Sequence, residues 1–366
     1  MRIAIITQPL RYNYGGLLQN YALQTVLKQA GHFVVTLDTE VRTKKNFKYY
    51  IQAIIRFAIV HLRNHDNKIL GQWKYCFTSE LLAANTSRFI KDHIEVKKYS
   101  TPQESEYDAL IVGSDQVWRP MYSDLKIAFL DFAKTWKKVK RLSYAASFGS
   151  DKWEFNEDEK ETCSHLASLF DGISVREETG IKLCKDYLNI KATHVLDPTM
   201  LLTKNDYVDG LHIKDQEKSA GKLFYYLLDE SPEKMAFVEK AVGILGKSKF
   251  TVNSKVENPN APIAQRIQPP VEQWLRAFYD AEFIITDSFH GCVFSLIFNK
   301  PFIVFGNEKR GNARFHSLLK LFDQEHRLCS ISTIDSIKLK DFSQKPAPDF
   351  TPIRKVSIEF LKEHLR

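Results

Sequence analysis

The run AEFIITDSFHGCVFSLIF (residues 281–298) indicates the fold of this chain more directly than any other stretch. Its apolar start, Phe283–Thr286, predicts a buried strand, and its apolar end, Cys292–Phe298, predicts a helix that follows at once. The turn between them, Thr286–Gly291, contains an aspartate, a serine and a histidine. A strand that turns directly into a helix is the repeating unit of an α/β fold, and such turns often carry the residues that do chemistry.

This turn supports two interpretations. Free N–H groups at the start of the helix can bind an anion, and His290 can exchange a proton near neutral pH. Together they predict a functional site. In the alternative interpretation, Asp287 or Ser288 only caps the helix, and His290 is a hydrogen-bonded structural residue.

Length and composition narrow the class of protein. A chain of 366 residues with 44% hydrophobic residues favours two domains with separate cores. Its formal charge of +8 suits an anionic substrate or an anionic membrane surface. The basic residues are scattered, without helix-turn-helix or zinc-finger spacing, so we expect no nucleic-acid partner. The five cysteines form no CxxC motif, which argues against a zinc site or a disulfide framework.

Other motifs exclude further classes. The N-terminal residues Met1–Thr7 read as a strand rather than a signal peptide, and no apolar stretch reaches membrane-spanning length. We therefore expect a cytoplasmic protein. Ser147 is flanked by Ala146 and Phe148 and does not form the GxSxG turn of a serine hydrolase. No Asp-x-Asp motif occurs, and we expect no metal.

Strand and helix patterns alternate along the chain, which predicts an α/β fold with parallel sheets. We expect a first domain over residues 1–202, a second over residues 203–352, and a terminal helix over residues 353–366 that returns to the first domain. The polar stretch Thr203–Gly221 is the expected linker. The predicted strands are Arg2–Thr7, Phe33–Leu37, Ala109–Val112, Arg141–Ala145, Gly172–Val175, Thr193–Leu196, Leu223–Leu228, Lys249–Val252, Phe283–Thr286 and Phe302–Phe305, and the predicted helices include Leu17–Gln29, Phe47–Arg63 and Gly71–Lys91.

Polar clusters follow the predicted strands repeatedly. The first strand leads to Asn13–Asn20, which includes Gly15-Gly16, and the strand at Leu110 leads to Gly113–Gln116. Two later strands lead to Ser147–Gly149 and to Arg176–Glu178. Ligands of parallel sheets lie beyond the carboxyl ends of the strands, so these clusters predict a cleft. Gly15-Gly16 is not a GxGxxG motif, which weakens a dinucleotide interpretation.

Basic residues supply candidate anion contacts. Arg176 stands at a strand end, where its planar guanidinium suits a phosphate or carboxylate. An ion pair with Glu177, Glu178 or Asp197 is the alternative. Lys309, Arg310 and Arg314 follow the strand Phe302–Phe305 and form either an anion clamp or a solvated face. The stretch Lys44–Arg63 is basic and amphipathic, and it either touches anionic lipid headgroups or packs on its own domain.

The ordered motifs of this chain resemble those of the polysaccharide pyruvyl transferase family. They are Ile3–Thr7, Asn13–Gln24, Val112–Trp118, Ser143–Gly149, Ser174–Glu177, Asp197–Thr199, Thr286–Gly291 and Lys300-Pro301. The resemblance extends from Arg2 to about Gly311. It implies two Rossmann-like domains that face a central cleft, as in glycosyltransferase-B-like folds.

The resemblance also implies an activity. Pyruvate moves from phosphoenolpyruvate onto a sugar of a bacterial surface polysaccharide or of its lipid-linked precursor, forms a ketal and releases phosphate. The implied partners are phosphoenolpyruvate, a glycan or lipid-linked oligosaccharide acceptor and, peripherally, an anionic membrane; no cofactor is expected. The alternatives are a nucleotide-sugar-dependent glycosyltransferase of the same fold and a glycan-binding module without activity, since fold alone does not separate them.

The family's arginine and histidine correspond to Arg176 and His290. We predict that His290 is the acid/base residue, that Asp287 orients it and that Arg176 offsets charge on the departing phosphate. The predicted donor-binding residues are Arg176, Ser288, His290, Gly291, Lys309 and Arg310. The predicted acceptor-binding residues are Asn13, Tyr14, Gly15, Gly16, Gln19, Asn20, Ser114, Asp115 and Gln116. The family often has an arginine two residues before the histidine, where this chain has Ser288; Lys309, Arg310 or Arg119 are the candidates to replace it.

Overall fold

A computed structural model describes residues 1–39, 80–256, 258, 260–306, 311–342 and 348–366. In this part of the chain, twelve strands form two sheets, and every strand pair is parallel. The strands are β1 (Arg2–Ile6), β2 (Phe33–Asp38), β3 (Val96–Lys98), β4 (Ala109–Val112), β5 (Lys140–Ala146), β6 (Gly172–Val175), β7 (Thr193–His194), β8 (Leu223–Tyr226), β9 (Lys249–Phe250), β10 (Phe283–Thr286), β11 (Phe302–Phe305) and β12 (Leu328–Cys329). The predicted α/β class with parallel sheets is confirmed.

The first sheet has seven strands in the order β3-β2-β1-β4-β5-β6-β7, and the second has five in the order β12-β11-β10-β8-β9. Strands β4, β6, β10 and β11 are buried along their whole length. A parallel sheet is covered on both faces by its crossover helices, which is why these strands read as continuous apolar runs.

The described helices connect and cover these strands. They are α1 (Tyr14–Gln29), α2 (Ala84–His93), α3 (Leu125–Ala128), α4 (Glu157–Ala167), α5 (Glu178–Leu188), α6 (Lys204–Gly210), α7 (Pro232–Leu245), α8 (Ile263–Arg266), α9 (Val271–Asp280), α10 (Phe289–Ile297), α11 (Ala313–Lys320) and α12 (Thr351–His364). The predicted helix Phe47–Arg63, much of Gly71–Lys91 and the basic stretch Lys44–Arg63 lie outside the described residues. No described helix combines the length and the apolar composition that crossing a membrane requires.

The expected linker Thr203–Gly221 is not an extended connection. It contains α6 and a 3₁₀ turn over Ile213–Asp215. Four of its apolar side chains are buried: Tyr207, Val208, Leu211 and Ile213. Thr203 caps α6 through a reciprocal pair of hydrogen bonds with Asp206, which explains why a polar stretch forms a helix here.

The facing sides of the two sheets share one apolar core, and the other face of each sheet has an apolar cluster of its own. A single cluster of buried side chains contains Ile5 and Tyr144 of the first sheet together with Ile284 and Val304 of the second. Helix α12 packs back on the first sheet, where Phe360 contacts the ring of Tyr144. Two hydrogen bonds fix this helix, from the Leu196 N–H to Ser357 Oγ at 2.9 Å and from Arg354 Nε to the Met200 carbonyl at 3.0 Å.

Candidate active site

A cleft of about 820 Å³ lies where the carboxyl ends of the two sheets face each other. Its wall from the first sheet follows β1 and β4, and its wall from the second follows β8, β9 and β10. Among the predicted site residues, those that line the cleft are Asn13, Tyr14, Asp115, Gln116, Asp287, Ser288 and His290. The sequence thus located the cleft through its polar strand ends.

The turn from β10 into α10 is built by short polar side chains. Ser288 is the N-cap of α10, and its Oγ accepts a hydrogen bond from the Gly291 N–H at 3.3 Å. The Thr286 hydroxyl donates to the Tyr226 carbonyl at 2.7 Å. A side chain on Gly291 would overlap Thr286 Oγ1. Ser288 is therefore compatible with both interpretations of this turn, the helix cap and the functional site, since it caps α10 and also lines the cleft.

His290 belongs to α10, beside the second sheet, and its side chain contacts α1, beside the first sheet. Its imidazole ring lies against Gly15, where a Cβ atom would overlap the ring around Nδ1. The residue is only 7% exposed, and Nε2 makes no hydrogen bond to any described residue. Gly15, which was predicted to bind an acceptor, instead provides the space that His290 occupies.

The carboxylate that faces His290 is Asp197. Its Oδ2 lies 3.6 Å from His290 Nε2, which is longer than a hydrogen bond, and the two groups form an ion pair when the imidazole carries a proton. The same oxygen accepts hydrogen bonds from Gln19 at 2.5 Å and Arg176 Nη1 at 2.7 Å, and Oδ1 accepts from the Thr199 hydroxyl at 2.7 Å. Burial alone would raise the pKa of Asp197, but the facing His290 and Arg176 outweigh it and hold this pKa below its ordinary value.

Arg176 lies behind the cleft wall rather than in it. Its side chain is 2% exposed and contacts two carboxylates, Asp197 at 2.7 Å and Asp115 at 3.6 Å. The ion pair with Asp197 is one that the sequence interpretation had left as the alternative. Nε and Nη2 make no hydrogen bond within the described part of the chain. The cleft therefore does not present Arg176 directly to a bound molecule.

Asp287 does not orient His290, contrary to the sequence interpretation. Its Oδ1 accepts the Leu228 N–H at 2.6 Å, and its Oδ2 accepts Lys234 Nζ at 2.6 Å and the Asp229 N–H at 3.1 Å. These bonds tie the end of β10 to the loop after β8. Asp287 is adjacent to the cap of α10 in sequence, but its carboxylate points to the neighbouring strand.

Arg314 is the arginine that lines the cleft, in the first turn of α11. It is 7% exposed, and its Cζ lies 5.2 Å from the ring centroid of Phe289. The sequence placed Arg314 in a basic group beyond β11 without singling it out. Lys309 and Arg310 lie outside the described residues. Arg119, the third candidate, forms a two-bond ion pair with Glu154 and lines a separate cleft.

The predicted acceptor-binding residues divide into two groups. Asn13 donates to Asp115 Oδ2 at 3.4 Å within the cleft wall. Tyr14 also lines the cleft, but its hydroxyl donates to the Pro269 carbonyl at 2.8 Å. The members that do not line the cleft are Gly15, Gly16, Gln19, Asn20 and Ser114. Asn20 lies in the core, where its Oδ1 accepts the Thr36 hydroxyl at 2.8 Å.

The described residues contain no group of three or more His, Cys, Asp or Glu side chains arranged to hold a metal ion. His61 and His65 stand four residues apart, a spacing that places two ligands on one helix face, and both lie outside the described ranges.

Solved structures of other proteins share this fold at low sequence identity. The S. aureus MnaA–UDP co-structure is 12% identical, covers 100% of this chain and 96% of its own, and has a TM-score of 0.52. The UDP-GlcNAc 2-epimerase from Methanocaldococcus jannaschii is 12% identical, covers 99% and 100%, and has a TM-score of 0.50. Arabidopsis thaliana UGT89C1 complexed with UDP-L-rhamnose is 10% identical, covers 99% and 94%, and has a TM-score of 0.48. The two parallel sheets, together with the matches at TM-scores of 0.52 and 0.50, confirm the predicted glycosyltransferase-B-like fold.

The sequence was also compared with curated proteins and with protein-family models. No match to the chain was found among curated proteins. The family model described as polysaccharide pyruvyl transferase matches residues 13–309. This range begins at the polar cluster after β1 and includes Asp197, the β10–α10 turn and His290.

Proposed function

The chain belongs to the polysaccharide pyruvyl transferase family, a family of transferases, and on that premise we propose that it transfers pyruvate from phosphoenolpyruvate to a sugar. The acceptor we propose belongs to a bacterial surface polysaccharide or its lipid-linked precursor. The product is a ketal, and inorganic phosphate is released.

One observation carries this proposal: an acid/base group and a buried cation lie on the same wall of the cleft. His290 and Arg314 both line the cleft, and both contact the ring of Phe289. The N-termini of α1 and α10 also meet there, because Asn13, Tyr14, Ser288 and Phe289 belong to the lining. Free N–H groups of helix N-termini favour anions, and phosphoenolpyruvate carries a carboxylate and a phosphate.

The proposed reaction assigns His290 two proton transfers. As one sugar hydroxyl adds to the carbon that bears the phosphate, the methylene carbon gains a proton from the His290 imidazolium. The neutral imidazole then takes the proton of the attacking hydroxyl. A second hydroxyl of the sugar attacks the same carbon, phosphate leaves with that proton, and the ketal closes.

The chain's own groups support these steps. Asp197 faces Nε2 of His290 and holds the ring between itself and Gly15. Arg176 keeps Asp197 charged through the 2.7 Å ion pair. Positive charge near the departing phosphate stabilises the transition state without rearrangement.

The test of this function is product identity. The purified chain is incubated with phosphoenolpyruvate and a panel of sugars with neighbouring hydroxyls, and inorganic phosphate is measured together with the mass of the sugar product. We expect phosphate release and a sugar product that carries a ketal-linked pyruvate. Release of a nucleoside diphosphate from a nucleotide sugar, without turnover of phosphoenolpyruvate, would establish the glycosyltransferase alternative. Sugar binding without turnover of either donor would establish the binding-module alternative.

We also propose a weak peripheral contact with the inner face of an anionic membrane, on the sequence of Lys44–Arg63 alone. Each Lys or Arg near such a surface contributes about 1 kcal/mol, and salt screens the attraction. Replacement of Lys44, Lys45, Lys48 and Arg56 by Gln should therefore reduce sedimentation with anionic vesicles at low salt. Turnover of a water-soluble acceptor should be unchanged. Equal sedimentation of both proteins would leave this stretch as a packed helix.

A further inference from the structure

We propose that Arg314 is the side chain that binds the anionic groups of the donor, and that Arg176 is a positioning residue that acts through Asp197. This proposal rests on the function proposed above and names the binding residue within the same cleft. It changes the role of Arg176, which the sequence interpretation placed in contact with the donor.

The position of Arg314 is the first argument. It lines the cleft beside Ser288, Phe289 and His290, whereas Arg176 does not line it. A molecule that reaches His290 therefore meets the guanidinium of Arg314 on the same wall. The planar guanidinium can donate two parallel hydrogen bonds to a carboxylate or a phosphate.

The second argument is the charge around Phe289. The Cζ atoms of Arg176 and Arg314 lie 4.7 Å and 5.2 Å from the ring centroid of this one residue. Burial, with the added charge of Arg176, lowers the pKa of Arg314 to about 10, so the side chain stays protonated at neutral pH. A bound anion relieves the repulsion between the two guanidinium groups.

The acidic groups near this pair already have other contacts. Asp115 lines the cleft, but its Oδ1 accepts the Gln116 N–H at 2.9 Å and faces Arg176 at 3.6 Å. Glu177 is buried, and its Oε1 accepts the Ser147 hydroxyl at 2.9 Å and the Phe148 N–H at 2.8 Å. Of the two basic side chains that line the described cleft wall, Lys255 is exposed and Arg314 is the buried one beside His290.

The experiment compares Arg314→Gln with Lys320→Gln, which removes the same charge from the exposed end of the same helix. Two quantities are measured: the phosphoenolpyruvate concentration for half-maximal phosphate release, and the stabilisation of the protein against heat by phosphoenolpyruvate. We expect Arg314→Gln to raise the half-saturating concentration about 10- to 100-fold, the loss of hydrogen bonds to a charged group. The thermal stabilisation should fall with it, and Lys320→Gln should change neither quantity.

Arg176→Lys is measured in parallel. Substitution of a positioning residue should change the turnover rate and leave binding of phosphoenolpyruvate almost unchanged. We expect lower turnover with a half-saturating concentration within about twofold of the unmodified protein. If Arg314→Gln does not fold, Arg314→Lys takes its place; it keeps the charge but loses the planar fork, so half-saturation should still rise.

Two results would overturn the proposal. One is an unchanged half-saturating concentration in the folded Arg314 variant. The other is an increase in Arg176→Lys as large as in the Arg314 variant, which would return the donor contact to Arg176. If the unmodified protein is neither stabilised by phosphoenolpyruvate nor releases phosphate from it, the proposed function itself fails. If the unmodified protein passes both tests and Arg314→Gln matches it, only the assignment of Arg314 fails.

Discussion

At the scale of single residues, the position of the His290 ring depends on the absence of a side chain at Gly15. The ring of His290 occupies the space where any side chain at position 15 would lie. Gly16, the next residue of α1, has no such neighbour, since a Cβ there would meet Asn13 Nδ2 at an ordinary 3.5 Å. The two glycines are therefore a matched pair for one substitution.

We predict that Gly15→Ala displaces the imidazole ring and lowers turnover on the order of 100-fold or more, the scale of losing acid/base catalysis. Gly16→Ala should keep its turnover, because its methyl group finds room and alanine favours a helix by about 1 kcal/mol over glycine. Phosphate release and circular dichroism of both variants are the measurements. Equal turnover in the two variants would contradict the close contact.

We predict that His290→Ala abolishes transfer and leaves the fold intact. The loss of an acid/base residue costs about 100- to 10,000-fold in rate, and the ring makes no described hydrogen bond through Nε2 that the fold would lose. The control is His316→Ala, a histidine of α11 that faces the separate cleft. Near-normal turnover of folded His290→Ala would make His290 a structural residue.

The residues that sequence reasoning located share one property, and those it missed share another. His290 and Ser288 were singled out because they belong to a local strand-to-helix turn, which a sequence pattern can indicate. Asp197 was noted as a possible ion-pair partner of Arg176 and as part of a family motif, but its place opposite His290 depends on a contact across 93 positions of sequence. The same limit explains Asp287: its partner Lys234 belongs to α7, and no local pattern distinguishes this lysine from its neighbours.

At the scale of elements, the β10–α10 turn is held by a buried ion pair. Lys234 Nζ donates to Asp287 Oδ2 at 2.6 Å and to the Asp229 carbonyl at 2.8 Å, so α7 anchors both the β8 loop and the turn that carries His290. Removal of one partner from a buried pair leaves an uncompensated charge.

We predict that Lys234→Met lowers the free energy of unfolding by about 3–5 kcal/mol. Lys240→Met, at an exposed position of the same helix, should change it by less than about 0.5 kcal/mol. Denaturant unfolding of both variants measures the difference. A loss at Lys234 no larger than at Lys240 would mean that water, rather than Asp287, compensates the lysine.

Prediction of elements from the sequence succeeded where strands are buried and missed two of the four edge strands. The ranges of β4, β6, β10 and β11 agree with the predicted ones residue for residue. The edge strands β3 and β12 were not predicted, because they have three and two residues and β3 is exposed throughout. These strands pair with a neighbouring strand that is distant in sequence, and a local apolar pattern does not indicate such pairing.

At the scale of the whole molecule, the shared core joins the two sheets. Tyr14 stacks on Trp274 at 5.4 Å and bonds the Pro269 carbonyl, and Gln268 donates to the Tyr12 carbonyl at 3.0 Å. The expected division into residues 1–202 and 203–352 stays a prediction, but the two parts are in direct apolar contact.

We predict that the chain unfolds in one cooperative transition, because the loss of either sheet exposes the apolar cluster that the two sheets share. Calorimetry should give a single peak whose calorimetric and van't Hoff enthalpies agree. Phosphoenolpyruvate should shift the whole peak to higher temperature. Two resolved peaks, of which phosphoenolpyruvate moves only one, would show that the halves are independent.

Helix α12 has a consequence for how the protein is made. It covers Tyr144 and bonds the Leu196 amide, yet Thr351 is translated long after Leu196. At about 5–20 residues per second, roughly 8–30 s separate the two on the ribosome. During that time the first sheet exposes the apolar surface that α12 later covers, so the nascent chain remains a target for chaperones until the helix has emerged.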